Sequence, residues 1–169
     1  MFSKIEHNGD YFPALQSTGN AAKFAIPFAK EICSGVGYDI GYCKEEWKLP
    51  HAIGIEPTID NRFNATKLPE QKVDFIFSSH CLEHCEGRFQ DVIEYWLTCL
   101  KKDGVIFLYL PNCDYQKYWA FGNKKHIHYL SPTILSGYCS YIFGQKLIKN
   151  FMVTDGYDLN GSFYCIIEK

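Results

Sequence analysis

Apolar residues along this chain follow two rhythms, and each predicts a different element. Phe89, Val92, Ile93, Trp96, Leu97 and Leu100 recur at steps of three and one, the single apolar stripe of an amphipathic helix. Lys101 and Lys102 suit the dipole at its C-terminus, and Gly104 is placed to stop it. Val73–Ser79 and Val105–Leu110 are instead nearly unbroken apolar runs, as expected of strands buried on both faces. Shorter runs predict strands at Val36–Ile40 and Ala52–Glu56, with a brief third at Asn61–Ala65.

Two further helices are predicted. Asn20 is a cap for one running through Phe24, Ala25, Phe28, Ala29 and Ile32 to Gly35, with a kink or later start because of Pro27. Ser131-Pro132 is a cap with a first-turn proline, leading through Ile134, Leu135, Tyr138 and Ile142 to Gly144. Lys146–Val153 and Ser162–Glu168 read as two closing strands joined by a turn-rich segment.

Strands alternating with helices predict an α/β fold, a Rossmann-like, mostly parallel sheet with helices on its faces and an antiparallel C-terminal strand. Only ten residues separate Gly41 from Ala52 and seven separate Glu56 from Asn64, so the early helices should be shortened or missing. The 169 residues fit one domain over 20–169, preceded by a polar, turn-rich segment over 1–19. Tyr11, Phe12 and Gln16 in that segment are candidates for a lid or for ordinary packing.

Composition narrows the partners. Seventeen basic and nineteen acidic side chains leave a net charge of −2, without the basic stripe that a phosphate backbone requires. No apolar run reaches the roughly 20 residues of a membrane span, and the first residues lack the order of a secretory signal. The expected setting is cytoplasmic, with a small-molecule substrate and neither nucleic acid nor membrane as partner; oligomeric state is not legible. The eight scattered cysteines read as reduced, mostly buried small hydrophobes.

Ligands of open parallel sheets sit at the carboxyl ends of the strands. Here those ends carry Asp39-Ile40-Gly41, Glu56-Pro57, Asn64-Ala65, Ser78-Ser79-His80 and Leu110-Pro111-Asn112. In order and spacing the series resembles the class I S-adenosylmethionine-dependent methyltransferases. Asp39-Ile40-Gly41 is similar to the Asp-x-Gly core of the first motif, and Glu56 to the acidic residue that accepts both ribose hydroxyls. Asn64-Ala65-x-x-Leu68-Pro69 resembles the adenine-reading segment. Val73-Asp74-Phe75-Ile76 through Ser79-His80-Cys81-Leu82-Glu83-His84 resembles the Phe-Asp-x-Ile…Ser-x-x-Leu-Glu-His stretch, and Leu100–Gly104 the Leu-Lys-Pro-Gly-Gly turn. The resemblance implies S-adenosyl-L-methionine as cofactor, bound by Asp39, Gly41, Glu56, Pro57, Asn64, Ala65, Ser79 and His80. It further implies methyl transfer to a small molecule or a sugar or lipid precursor.

The chain departs from that pattern at Cys43 and Glu45, which occupy the second and third glycine positions of the first loop. Glu45 would oppose the ligand carboxylate unless it points to solvent. A catalytically silent scaffold domain is therefore the alternative reading. His80-Cys81-Leu82-Glu83-His84 also matches the His-x-x-Glu-His pattern of zinc proteases, a third reading as a small metallohydrolase. That pattern needs a helix interior to bring both imidazoles to one ion, whereas these histidines straddle a strand end, so no metal is expected. A methyl acceptor must lose a proton, and histidine titrates near neutrality. His126 and His128, in the loop after the strand ending at Leu110, are the candidate bases, with Asn112 as an orienting amide.

Overall fold

In the computed structural model the two long apolar runs lie side by side at the centre of a six-stranded sheet. The structure describes residues 4–7, 10–13, 20–114, 125–155, 158 and 161–169, with backbone alone for those before residue 20. Strands β1 (Lys4–His7) and β2 (Asp10–Pro13) form an antiparallel hairpin separate from the main sheet. Lid contacts expected from Tyr11, Phe12 and Gln16 lie outside the described side chains.

Helix α1 (Ala22–Ile32) is followed by β3 (Gly37–Ile40), β4 (Ile53–Ile55) and β5 (Val73–Ser79). Helix α2 (Phe89–Cys99), β6 (Leu100–Pro111), α3 (Pro132–Gly144), β7 (Asn150–Val153) and β8 (Ser162–Glu168) complete the chain. The strand order is β4-β3-β5-β6-β8-β7; the first four run parallel, and β8 is antiparallel to both neighbours.

The pleat of β6 divides the core. Ile106, Leu108 and Leu110 point to one face, against Trp96, Leu97 and Val92 of α2 and Leu135 and Ile142 of α3. Phe107 and Tyr109 point to the other, where α1 presents Ala22, Ala25 and Ala29. These small residues at helical spacing let the α1 backbone lie close over the aromatic rings of Phe75, Phe77 and Phe107.

Several predicted boundaries move. Pro27 sits inside α1 without ending it, and Asn20 Oδ1 accepts the Lys23 N–H at 3.3 Å just before the helix. Leu100 is already extended, so α2 stops at Cys99 and β6 begins five residues before Val105. Leu100 pairs with Val73 across a register irregularity, beside which Asp103 takes a positive φ of 63°. Asn61–Ala65 is no strand: its ladder is a single bridge, Asn64 to Lys67. The segments between β3 and β4 and between β4 and β5 hold no α-helix, only a 3-10 turn at Glu45–Trp47.

Candidate cofactor and acceptor site

The carboxyl ends of β3, β4 and β5 open on one cavity of about 520 Å³, within the range of small-molecule sites. Gly41, at the end of β3, has φ +81° and donates its N–H to Ile55 O at 2.9 Å, which ties the two strand ends together. A Cβ there would stand 2.6 Å from Cys81 Cβ and Sγ, so glycine is required both by the turn and by the approach of the next loop.

Glu56 follows β4 and is 9% exposed. Its Oε1 accepts from Thr58 N–H at 3.0 Å and Thr58 Oγ1–H at 2.8 Å. Both bonds fall on one oxygen, which fixes the carboxylate. Pro57 lines the cavity beside it. Asn64 repeats the device: its Oδ1 accepts from Thr66 N–H at 2.9 Å and Thr66 Oγ1–H at 3.0 Å. The Trp96 indole donates to Ala65 O at 2.7 Å, so a buried residue of α2 pins the loop that forms the cavity floor.

Six of the eight residues expected at the cofactor line this cavity: Gly41, Glu56, Pro57, Asn64, Ala65 and His80. Asp39 and Ser79 do not. Asp39 is buried below the opening, where its Oδ2 accepts the Leu49 N–H at 2.6 Å and holds the loop after β3. Burial pushes its carboxyl up from 3.8 to about 7, against the opposing Leu49 N–H and Lys48 charge. Ser79 is buried beneath His80 in the chain, and its Oγ has no hydrogen-bond partner among the described residues. Glu45 is exposed and pairs with Lys48, which directs its charge into solvent.

More of the lining comes from the segment 80–86. His80 has a positive φ of 50°, its N–H donates to Tyr109 O at 2.9 Å, and its Nε2 meets Ser162 Oγ at 2.8 Å. Burial, and then the neighbouring His84, lower its pKa to about 3. Leu82–His84 form a 3-10 turn and not a helix, so the zinc-protease geometry is not formed. His84, Cys81, Cys85 and Glu86 line the cavity too. Nothing in the sequence marks Glu86, and Cys85 is marked only by its interleaving, with Cys81, among His80 and His84; the turn carries both there.

The loop that carries His126 and His128 is docked on this turn: Ile127 N–H and His128 N–H donate to Glu83 O at 2.8 and 3.1 Å. His128 Nε2 lies 2.9 Å from Cys85 O, and a carbonyl can only accept, so this nitrogen carries the proton. His126 packs on His84, with ring centroids 4.5 Å apart. Burial, and then the charges of His84 and His80, lower its pKa to about 3, well away from the neutral range expected of a base. Asn112 is buried, and its Oδ1 accepts the Asp114 N–H at 3.0 Å, closing a turn after β6. None of the three residues expected at the acceptor, Asn112, His126 and His128, lines the cavity itself.

Comparison with known proteins agrees with this fold. No curated protein sequence matches, but a family model described as a methyltransferase domain matches residues 18–140. A methyltransferase structure from Thermotoga maritima superposes with a TM-score of 0.64 at 16% identity, covering 92% of each chain. The plantazolicin methyltransferase BpumL bound to S-adenosylhomocysteine gives 0.61 at 13% identity, covering 90% of this chain and 84% of that one. The N-methyltransferase NodS from Bradyrhizobium japonicum, also with S-adenosylhomocysteine, gives 0.55 at 11% identity, with 92% and 87% covered. At such identities the structures show a shared fold, while the family model spans well over half of the chain. With the strand-end cavity, the buried Glu56 and the close Gly41–Cys81 approach in place, the chain belongs to the methyltransferase domain family.

Proposed function

We propose that this enzyme methylates a small-molecule acceptor, with the cofactor along the Gly41–Glu56–Asn64 side of the cavity and the acceptor against the His80–Glu86 wall. The observation that carries this reading is Glu56, whose Oε1 is fixed by Thr58 so that Oε2 is oriented for the ribose hydroxyls. The cofactor supplies a methyl group already activated on sulfonium, so the chain must hold the two reactants in line and manage the acceptor's proton. Asn64 and Ala65 flank the adenine end, while Pro57 closes the ribose side.

On the acceptor side His126 is the better placed of the two loop histidines, because it packs on His84, which lines the cavity. The cavity volume and the nearly balanced net charge favour a small molecule or a sugar or lipid precursor over a nucleic acid. BpumL, a plantazolicin methyltransferase, is a precedent for plantazolicin as an acceptor on this fold.

The deciding experiment is calorimetric titration with S-adenosylmethionine and S-adenosylhomocysteine, followed by labelled-methyl transfer to a panel of hydroxyl and amine acceptors. One-to-one binding and transfer to a small acceptor are expected. Binding without transfer across the panel would favour a silent scaffold, and failure to bind either ligand would sink the cofactor placement.

A further inference from the structure

We propose that Glu83, His84 and His126 form a binding site for one divalent transition-metal ion of the zinc type, set into the acceptor wall of the cavity. One ligand atom from each of the three residues falls within a group whose members lie within 4.8 Å of one another. The residues reach that point from two elements, the 3-10 turn after β5 and the loop after β6, joined by the two hydrogen bonds to Glu83 O.

The carboxylate of Glu83 is the independent observation. The residue is fully buried, and neither Oε1 nor Oε2 has a hydrogen-bond partner among the described residues. Burying a carboxyl group without a partner is costly, and native structures seldom tolerate it. The histidine nitrogens within 4.0 Å of Oε1 are His84 Nε2 at 3.8 Å and His80 Nδ1 at 3.9 Å. These separations are too long for hydrogen bonds. They are of the size expected of two ligands on one ion, given bonds of about 2.0–2.2 Å.

His84 is prepared for the role. Its Nδ1 lies 3.0 Å from Lys125 O, which can only accept, so Nδ1 carries the hydrogen. The lone pair is thereby left on Nε2, the atom that faces Glu83. A ring N–H given to a backbone carbonyl is the usual way in which a metal-binding histidine has its tautomer and orientation fixed. His126 lies against the same ring at 4.5 Å and brings the third donor. Two imidazoles and one carboxylate select zinc or its first-row neighbours over magnesium and calcium. The ion's remaining position would face the cavity that His84 lines, where an acceptor oxygen or nitrogen can reach it.

The test uses the full chain, reduced and stripped with a chelator. Zn²⁺ is titrated calorimetrically, and Co²⁺ is added as a visible-absorbing substitute. One ion per chain is expected, with a Co²⁺ spectrum that lacks thiolate-to-metal charge transfer. Glu83→Gln, His84→Ala and His126→Ala should each weaken Zn²⁺ binding more than tenfold, while Cys81→Ser and Cys85→Ser leave it within a few-fold. Folding is monitored by circular dichroism, and the parent Co²⁺ spectrum decides the ligand set if a variant fails to fold. No stoichiometric ion, a thiolate charge-transfer band, or a folded His126→Ala variant with parent affinity would overturn the site. S-adenosylhomocysteine titrated into the same samples separates the two ideas: it binds whether or not the metal does, unless the cofactor placement is itself wrong.

Discussion

The side chain of Asp39 accepts the backbone N–H of Leu49 at 2.6 Å, so a buried carboxyl in β3 fastens the loop that borders the cofactor cavity. Burial raises that carboxyl from 3.8 to about 7. Between those values the folded chain holds a proton that the unfolded chain releases. The contribution of Asp39 to stability therefore grows as pH falls from about 7 towards 4, and above 7 the fold carries the buried charge in full. Urea unfolding of the parent and Asp39→Asn at pH 8, 6 and 4.5 should show the parent gaining on the variant as pH drops. Parallel profiles would show that Asp39 does not titrate in this window.

Glu56→Ala should weaken S-adenosylhomocysteine binding at least tenfold, about 1.5–3 kcal/mol, because hydrogen bonds to a charged acceptor are lost. Glu56→Gln should fall between variant and parent, since it keeps an oxygen but loses the charge. Calorimetry on both checks the order, and parent-like binding by Glu56→Ala would put the ribose elsewhere.

Gly41→Ala meets two obstacles at once, a φ of +81° and Cys81 Cβ at 2.6 Å. Strain of this kind costs about 1–3 kcal/mol, and relief by shifting the 80–86 segment would distort the cavity. Lower stability and lower cofactor affinity are expected together. Gly137→Ala, in α3 with nothing within 4 Å of the added carbon, is the internal control. It should be neutral or stabilise by up to about 1 kcal/mol.

The two loop histidines should separate by readout. His128→Ala removes the bond to Cys85 O, and its main effect should be a loss of about 1 kcal/mol of stability. His126→Ala should instead lower kcat by tenfold or more with a smaller effect on thermal unfolding. Thermal melts beside turnover on an identified acceptor would distinguish them, and equal kinetic losses would assign both residues to the acceptor.

Much of this architecture is legible in the sequence, because the long elements announce themselves by period. The stripe from Phe89 to Leu97 and the runs at Val73–Ser79 and Val105–Leu110 fall where the periodicity puts them. Asn61–Ala65 misleads because a few residues before a turn carry too little pattern, and the Asn64–Thr66 bonds bend the chain back on itself. Leu100 misleads in the opposite sense: it continues the helical stripe in sequence yet is extended and pairs with Val73. In the candidate site, Gly41 and Glu56 follow from strand ends, which a sequence marks well, whereas Asn64 lies in a loop and is reached only through the family resemblance. The meeting of Glu83 and His84 with His126 depends on how a distant loop docks, and no spacing encodes that.

The turns on the cofactor side have a consequence for motion. Between β3 and β5 the chain contains no α-helix, and its loops are held by Asp39 to Leu49, Glu56 to Thr58 and Asn64 to Thr66. Such segments open locally at far smaller free energy than a central strand. Amide hydrogens over residues 42–51 and 57–72 should exchange with solvent fast, and those of β5 and β6 slowly. Bound cofactor, bridging Gly41, Glu56 and Asn64, would slow the fast set selectively. The part of the enzyme proposed to grip the cofactor would thus also be the part whose order the cofactor completes.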